Sequence, residues 1–134
     1  MTGADAAPAR TIRITVRTTY LPEDSEPTQG QHVWAYRVRI ENLGARAVQL
    51  LRRTWLITDA EGRTQRVHGE GVIGEQPVIG PGGHFEYTSG APLATPSGFM
   101  RGQYHMIVSA TGEAFDVEIP AFSLDSPDAP RRLH

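Results

Sequence analysis

Residues 32–42, with the sequence HVWAYRVRIEN, decide the fold class of this chain. Within them Trp34, Tyr36, Val38 and Ile40 occupy alternate positions, and side chains two residues apart on a β-strand share one face. Aromatic and β-branched residues are also the types that strands favour. The stretch therefore predicts a β-strand with one buried face.

Outward from this strand, the same period of two recurs in short runs that are separated by clusters of Gly, Pro, Asn and Asp. Among residues 48–59 the phase changes at Leu50-Leu51, which predicts a β-bulge or a switch of buried face near Arg52. No run has an apolar period of 3.6 residues over a helical length. Seven strands are predicted, within residues 11–20, 32–42, 48–59, 64–68, 84–89, 102–110 and 114–119.

Many short strands with regular turns favour an all-β fold, namely a two-sheet antiparallel β sandwich of about seven strands. The chain has 134 residues, enough for one domain with its own core, and no cysteine. A sandwich without a disulfide is closer to a fibronectin type III-like than to an immunoglobulin-like domain. We predict the domain at residues 11–125, with flexible tails at residues 1–10 and 126–134, which are polar or rich in Ala and Pro.

The composition excludes several classes of function. A net charge of −2 and a pI near 6.2 predict no general attraction to nucleic acid or acidic membranes. Without cysteine there is no thiolate nucleophile or sulfur-ligated zinc, and because all thirteen basic residues are Arg there is no Schiff-base or P-loop lysine. The sequence shows no secretory signal and no stretch near the ~20 apolar residues of a membrane span. We expect a cytoplasmic protein without a membrane partner or a specific nucleic-acid partner.

The segment GEGVIG, residues 69–74, matches the G-x-G-x-x-G pattern of dinucleotide-binding loops. In such enzymes the third glycine opens a helix whose N-terminus binds the pyrophosphate. Here Pro77 and the sequence Pro81-Gly82-Gly83 prevent a helix of useful length. A Rossmann fold is therefore excluded, and the glycines are interpreted first as bends in a connecting loop, with a backbone nest for an anion as the second hypothesis.

Arginines could contribute to an anion site, because the guanidinium group suits bidentate phosphate contacts. Arg13 and Arg37 are expected on the outward faces of the first two strands, which would form one cationic patch if the strands pair. Ordinary solvated charge is the competing interpretation. The predicted anion-binding residues are Gly69, Gly71, Gly74, Arg66, Arg13 and Arg37.

The five histidines show neither H-x-x-x-H nor H-E-x-x-H spacing, so a metal site would have to be assembled from separate segments. His68 and Glu70 are the predicted metal ligands, with Glu75, His84 and Glu86 as further members of the cluster. Solvated loop residues are the commoner explanation for such a set. No cofactor is predicted, although these side chains leave open the binding of a divalent cation.

The sequence gives no framework for catalysis. It lacks G-x-S-x-G, and Asp116 and Glu118 alternate outward on a late strand, as solvated carboxylates do. A triad of distant residues remains open, since such triads are assembled in space rather than in sequence. We predict that the chain is not an enzyme.

Residues 67–124 contain several segments in a fixed order, among them VHGEGVIGEQP, YTSG at 87–90 and IPAF at 119–122. Together with RTTYLPEDS and YRVRIEN nearer the start, they resemble the ApaG family, also called CorD. The resemblance implies a fibronectin type III-like or immunoglobulin-like sandwich, a genetic link to cobalt and magnesium tolerance in bacteria, and, from similar domains in eukaryotic proteins, protein binding. It implies no catalytic residues.

The leading hypothesis is a non-catalytic binding module that recognises a protein partner or a phosphate-bearing ligand such as a nucleotide. The alternative is an enzyme, or an enzyme subunit, acting on nucleoside polyphosphates with Mg²⁺. Both a monomer and a homodimer are open, because strand edges favour pairing while Arg and Pro along them oppose it.

Overall fold

A computed structural model describes residues 7–127 of the chain, and eight β-strands account for most of them. The strands are β1 (Ile12–Tyr20), β2 (His32–Asn42), β3 (Val48–Asp59), β4 (Thr64–Glu70), β5 (Val78–Ile79), β6 (His84–Leu93), β7 (Ser97–Val108) and β8 (Ala114–Asp125).

The strands form two antiparallel sheets that pack face to face. The first sheet has the order β1-β2-β6, and the second has the order β4-β3-β7-β8 with β5 paired to one end of β3. Their inner faces share one apolar core, and the face of each sheet that points away from the other is called its outer face below. The predicted two-sheet β sandwich is confirmed.

Residues 32–42 form the strand β2 with one buried face, as their pattern predicts. The side chains of Trp34, Tyr36, Val38 and Ile40 all point inward and are at most 6% exposed. Aromatic side chains such as Trp34 and Tyr36 bury a large apolar area each, and the hydrophobic effect favours this burial. In the strand order, β2 is the central strand of the first sheet, with β1 and β6 on either side.

The predicted irregularity in β3 is also present. The register between β3 and β7 shifts between Leu50 and Arg52, and the buried positions change from Leu50 to Trp55, five residues later. A single extra residue moves every later side chain to the other face of the sheet. This bulge turns Arg53 and Trp55 toward the interior and Thr54 outward.

Two features of the fold differ from the sequence prediction. The two-residue strand β5 is an eighth strand, too short to produce a period of two. Residues Pro8–Thr11 form a 3₁₀-helix that packs against β8, so regular structure begins within the predicted N-terminal tail. Residues 1–6 and 128–134 of the predicted tails lie outside the described residues. Within residues 7–127 the structure contains no helix long and apolar enough to cross a membrane.

Candidate functional site

The two sides of the sandwich are not equivalent. On one side the edge strands β1 and β8 pack against each other. On the other side the edge strands are β4 and β6, and a cleft with a volume of about 320 Å³ opens between them. We call this the inter-sheet cleft. It is lined by Tyr36, Trp55, Ile57, Val67, Val72, Ile73, Tyr87, Ala91, Pro92 and Met100, with Arg53, Gln65, Ser89 and Gly90.

Aromatic rings form the floor of the inter-sheet cleft. The ring of Trp55 meets that of Tyr36 edge to face, with centroids 5.4 Å apart, and the ring of Tyr36 meets that of Tyr87 at 6.5 Å. Such arrangements are the favoured ones for aromatic pairs. The indole Nε1 of Trp55 is buried, and it has no hydrogen-bond partner within the described part of the chain. A buried donor without an acceptor is rare in native proteins, which singles out this residue of the cleft.

Behind the cleft, the hydroxyl groups of Tyr87 and Tyr104 hydrogen-bond to each other at 2.5 Å in the core. Burial is the main cause that raises the pKa of both phenols well above the ordinary value. Both hydroxyls therefore stay protonated at physiological pH. They provide neutral polar groups and no anionic charge behind the cleft.

The GEGVIG segment forms one rim of the inter-sheet cleft. The Nη1 of Arg53 donates hydrogen bonds to the carbonyls of Glu70, at 3.0 Å, and Gly71, at 2.7 Å. Gly69 leaves room for this guanidinium group, which would have to shift if a Cβ were present, since that atom would lie 2.9 Å from the same nitrogen. At Gly71, where φ is +61°, a Cβ would lie 2.2 Å from the carbonyl oxygen of Glu75. The first two glycines thus allow close packing of the loop against β3 and against itself.

Most of the backbone donors of this loop are already used. Val72 and Glu75 donate to each other's carbonyls, and Gly71 donates to the carbonyl of Leu51. The two residues inside this turn, Ile73 and Gly74, both have positive φ, at 44° and 79°. Two such residues define a type I′ turn, which is strained for a β-branched residue. The loop buries Val72 completely and leaves Ile73 55% exposed at the cleft rim.

The arginines predicted for an anion site lie on two different surfaces, the outer faces of the two sheets. Arg13 and Arg37 are on the outer face of the first sheet, where β1 and β2 pair. There Arg13 is 3.7 Å from a carboxylate oxygen of Glu41, and Arg37 and Arg39 both contact Glu86, at 2.8 and 3.0 Å. These hydrogen bonds from Arg39 and Arg37 hold the pKa of Glu86 below its ordinary value. The structure therefore does not bring Arg13 or Arg37 to the GEGVIG loop.

Arg66, His68 and Glu70 point to the outer face of the second sheet, as alternate residues of β4. His84 and Glu86 lie on the first sheet, so the wider histidine cluster considered from the sequence does not form. Among residues 7–127 no group of three or more His, Asp or Glu side chains has the geometry of a metal site. His68 and Glu70 remain a prediction on sequence grounds alone.

A chain of hydrogen bonds on this outer face was not predicted from the sequence. The Oγ1 of Thr54 is 2.8 Å from the Nδ1 of His68 and 2.8 Å from the Nε2 of His105. The Nδ1 of His105 is in turn 2.8 Å from a carboxylate oxygen of Asp116. These residues belong to four adjacent strands, and their spacing in sequence gives no sign that they meet.

A three-stranded antiparallel sheet with the order β1-β2-β6, packed against a second sheet with the order β4-β3-β7-β8, defines a fibronectin type III-like β sandwich. The model of the family described as the ApaG domain matches residues 22–108. The protein named Protein ApaG from Rhodospirillum centenum is 64% identical over 118 residues, which cover 88% of this chain and 90% of that protein. Protein ApaG from Azorhizobium caulinodans is 55% identical over 128 residues, covering 96% and 98%.

Comparison with solved structures gives the same result. A crystal structure of a protein from Bordetella pertussis matches with a TM-score of 0.84 and 48% identity, covering 88% of this chain and 95% of that one. The chain belongs to the ApaG family.

Proposed function

We propose that this ApaG-family chain is a non-catalytic binding module that receives an extended peptide segment of a protein partner at the inter-sheet cleft. The peptide would pair with the free edge of β6 and place a large apolar side chain in the cleft. The observation that carries the proposal is an open apolar cleft beside the outer edge of β6, which is unpaired within the described part of the chain and carries no charged residue over residues 87–92.

The free edge of β6 is suited to strand addition. Among the described strands β6 pairs with β2 alone, so the backbone donors and acceptors along its other edge are available. Exposed edges are usually protected by charged residues or by bulges. Residues 87–92, with the sequence YTSGAP, contain no charged residue, and proline appears only at the end of this stretch.

The cleft is suited to an apolar side chain of such a peptide. Side chains of an added strand alternate between the two faces, so every second residue would point toward the cleft. The volume of about 320 Å³ lies within the range of small ligand sites, and the wall residues are mainly aliphatic and aromatic. The unpaired Nε1 of Trp55 supports the proposal further, because an acceptor group of the partner would satisfy it.

The proposal is tested by obstructing the cleft from its rim. Ser89 points inward and is half-buried, whereas its neighbour Thr88 points to the outer face. Short random peptides displayed on phage are selected against the wild-type protein, with Ser89→Trp as the counter-selection target. We expect a selected synthetic peptide to shift the amide NMR signals of residues 87–91 and the indole signal of Trp55.

The matched control is Thr88→Trp, which introduces the same side chain one residue away on the other face. We expect Ser89→Trp to weaken peptide affinity by at least about tenfold, or about 1.4 kcal/mol, and Thr88→Trp to retain it. Equal affinity for both variants contradicts the proposal. So does a selection that yields no peptide distinguishing the wild type from folded Ser89→Trp.

Other parts of the sequence prediction remain predictions. The link to cobalt and magnesium tolerance and the cytoplasmic location rest on resemblance and on the sequence. A phosphate ligand at GEGVIG is not part of this proposal, because the N–H groups of Gly71, Val72 and Glu75 are occupied by carbonyls. The enzyme alternative has no supporting contact at the inter-sheet cleft.

A further inference from the structure

When Asp116 is ionised and the imidazoles of His68 and His105 are both neutral, the hydrogen-bond chain on the outer face of the second sheet has one consistent arrangement of protons. The carboxylate of Asp116 accepts from the Nδ1–H of His105, at 2.8 Å. In the neutral imidazole the Nε2 is then an acceptor, and the hydroxyl of Thr54 donates to it, also at 2.8 Å. The Oγ1 of Thr54 in turn accepts from the Nδ1–H of His68.

This order of groups is the one that activates a hydroxyl nucleophile. A base lies within hydrogen-bond distance of the hydroxyl, and a third group orients the base through its other nitrogen. His105 is the base here, and its side chain is 20% exposed, while Asp116 is the orienting residue. The hydrogen bond from His68 stabilises negative charge as it develops on the Oγ1 of Thr54.

The surroundings of Thr54 favour a phosphoryl group as the reacting partner. Thr54 lines an open depression with a volume of about 340 Å³, together with Arg66 and Arg101. Arg66 on β4 and Arg101 on β7 are the register partners of Leu56 on the two strands that flank β3. Neither arginine forms an ion pair with another described residue. Arg is the side chain best shaped to bind phosphoryl oxygens. Glu118 lies in the same depression and accepts a hydrogen bond from the amide of Gln103 rather than pairing with either arginine.

We propose that Thr54 is a phosphoryl-accepting residue that reacts with a small acyl phosphate. The Oγ1 of Thr54 attacks the phosphorus, the bond between phosphorus and the acyl oxygen breaks, and the carboxylate leaves with the bonding electron pair. The hydroxyl proton passes to the Nε2 of His105, which later releases it to solvent. The products are phosphothreonine and a free carboxylate.

The reaction is a stoichiometric modification of the chain. It takes place on the outer face of the second sheet and is independent of the inter-sheet cleft. Arg66, Arg101 and His68 would hold the product, since a phosphate group opposite arginines forms charge-assisted hydrogen bonds. The modification changes the charge of one outer face while the core and the opposite sheet stay as they are. It thus changes the charge of a surface that is separate from the proposed peptide site in the inter-sheet cleft.

The test is incubation of the full-length protein with acetyl phosphate, followed by intact-mass measurement and fragment mapping. We expect a mass gain of one phosphoryl group at Thr54, retained in Thr54→Ser, which keeps a hydroxyl, and lost in Thr54→Val. The matched control is Thr58→Val. Thr58 lies on the same face of the same strand, but its hydroxyl contacts Thr64 at 2.9 Å rather than a histidine, so labelling should be unchanged.

The role of the base is tested by rate. We expect His105→Asn to slow labelling by about 100-fold or more, the usual contribution of general-base catalysis. Asp116→Asn should also slow labelling. Asp116→Glu, which keeps a carboxylate, should label faster than Asp116→Asn, a difference that a purely structural role of Asp116 would not produce. Circular dichroism verifies that each variant is folded. No phosphoryl gain, equal gain in folded Thr54→Val, or an acid-labile gain on His68 or His105 would each overturn the proposal.

Discussion

The hydroxyl groups of Tyr87 and Tyr104 depend on each other, because both are buried and each is the other's partner. Replacing one by Phe leaves a buried hydroxyl without a hydrogen bond, which costs about 1–3 kcal/mol. Replacing both removes the polar atoms together, and such paired replacements are often nearly neutral. We therefore expect Tyr104→Phe to lower the free energy of unfolding by about 1–3 kcal/mol, and Tyr87→Phe/Tyr104→Phe to recover most of that loss.

Urea denaturation of the two single variants and the double variant measures this coupling. Losses that simply add in the double variant would show that the two hydroxyls act independently. The pKa of both phenols is raised by burial, so the comparison holds across the neutral pH range.

Single residues also show where sequence reasoning reaches its limit. The glycines of GEGVIG could be assigned to a loop because Pro77 forbids the helix that a cofactor site needs. That Gly69 makes room for Arg53 could not be inferred, because Arg53 turns inward only as a result of the bulge in β3. The unpaired Nε1 of Trp55 is likewise a property of packing, which no periodicity describes.

At the level of strands, ion pairs between β2 and β6 stabilise the exposed outer face of the first sheet. Glu86 on β6 accepts hydrogen bonds from Arg37 and Arg39, both on β2, and so joins the two strands across the sheet. Arginines two residues apart on one strand would otherwise repel each other. The surface charge that was considered as an anion patch is thereby partly neutralised within the sheet.

This pair of contacts predicts a dependence of stability on pH. The hydrogen bonds from Arg39 and Arg37 lower the pKa of Glu86 in the folded state relative to the unfolded state, where the ordinary value of 4.5 applies. A lowered pKa contributes stability above the unfolded value, and this contribution is lost as the pH falls through the folded value. We expect Glu86→Gln to be less stable than the wild type at pH 7, with the difference shrinking as the pH falls below the ordinary range of Glu. Thermal unfolding of both proteins as a function of pH measures it, and a difference that stays constant would contradict the assignment.

The element pattern was largely predictable, and its exceptions have physical causes. Long strands with one buried face, such as β2, produce a clear period of two. The strand β7 begins at Ser97 rather than near Gly102, because Gly98 and Gly102 carry no side chain to continue the pattern. A Cβ at Gly102 would lie 2.1 Å from the carbonyl oxygen of Thr54, so the close approach of β7 to β3 requires glycine there.

For the whole molecule, topology decides which sites exist. The sequence predicts two sheets but not their strand order, and the order determines that β4 and β6 are the free edges beside the inter-sheet cleft. It also places Thr54, His68, His105 and Asp116 on four adjacent strands. Both proposed sites therefore depend on pairings between segments distant in sequence, and local patterns do not encode such pairings.

The same topology predicts which strands exchange their amide hydrogens first. The strands β2, β3 and β7 have neighbours on both sides, so their backbone hydrogen bonds break only when a sheet is disrupted. Of the edge strands, β1 and β8 are held by packing against each other, whereas β4 and β6 border the inter-sheet cleft. We expect amide hydrogen exchange, followed by NMR, to be slowest in β2, β3 and β7. Hydrogen-bonded amides of β4 and β6 should exchange faster than those of β1 and β8. Equal protection of all four edge strands would mean that the open side is as tightly held as the closed side, and would remove the structural basis for peptide entry at β6.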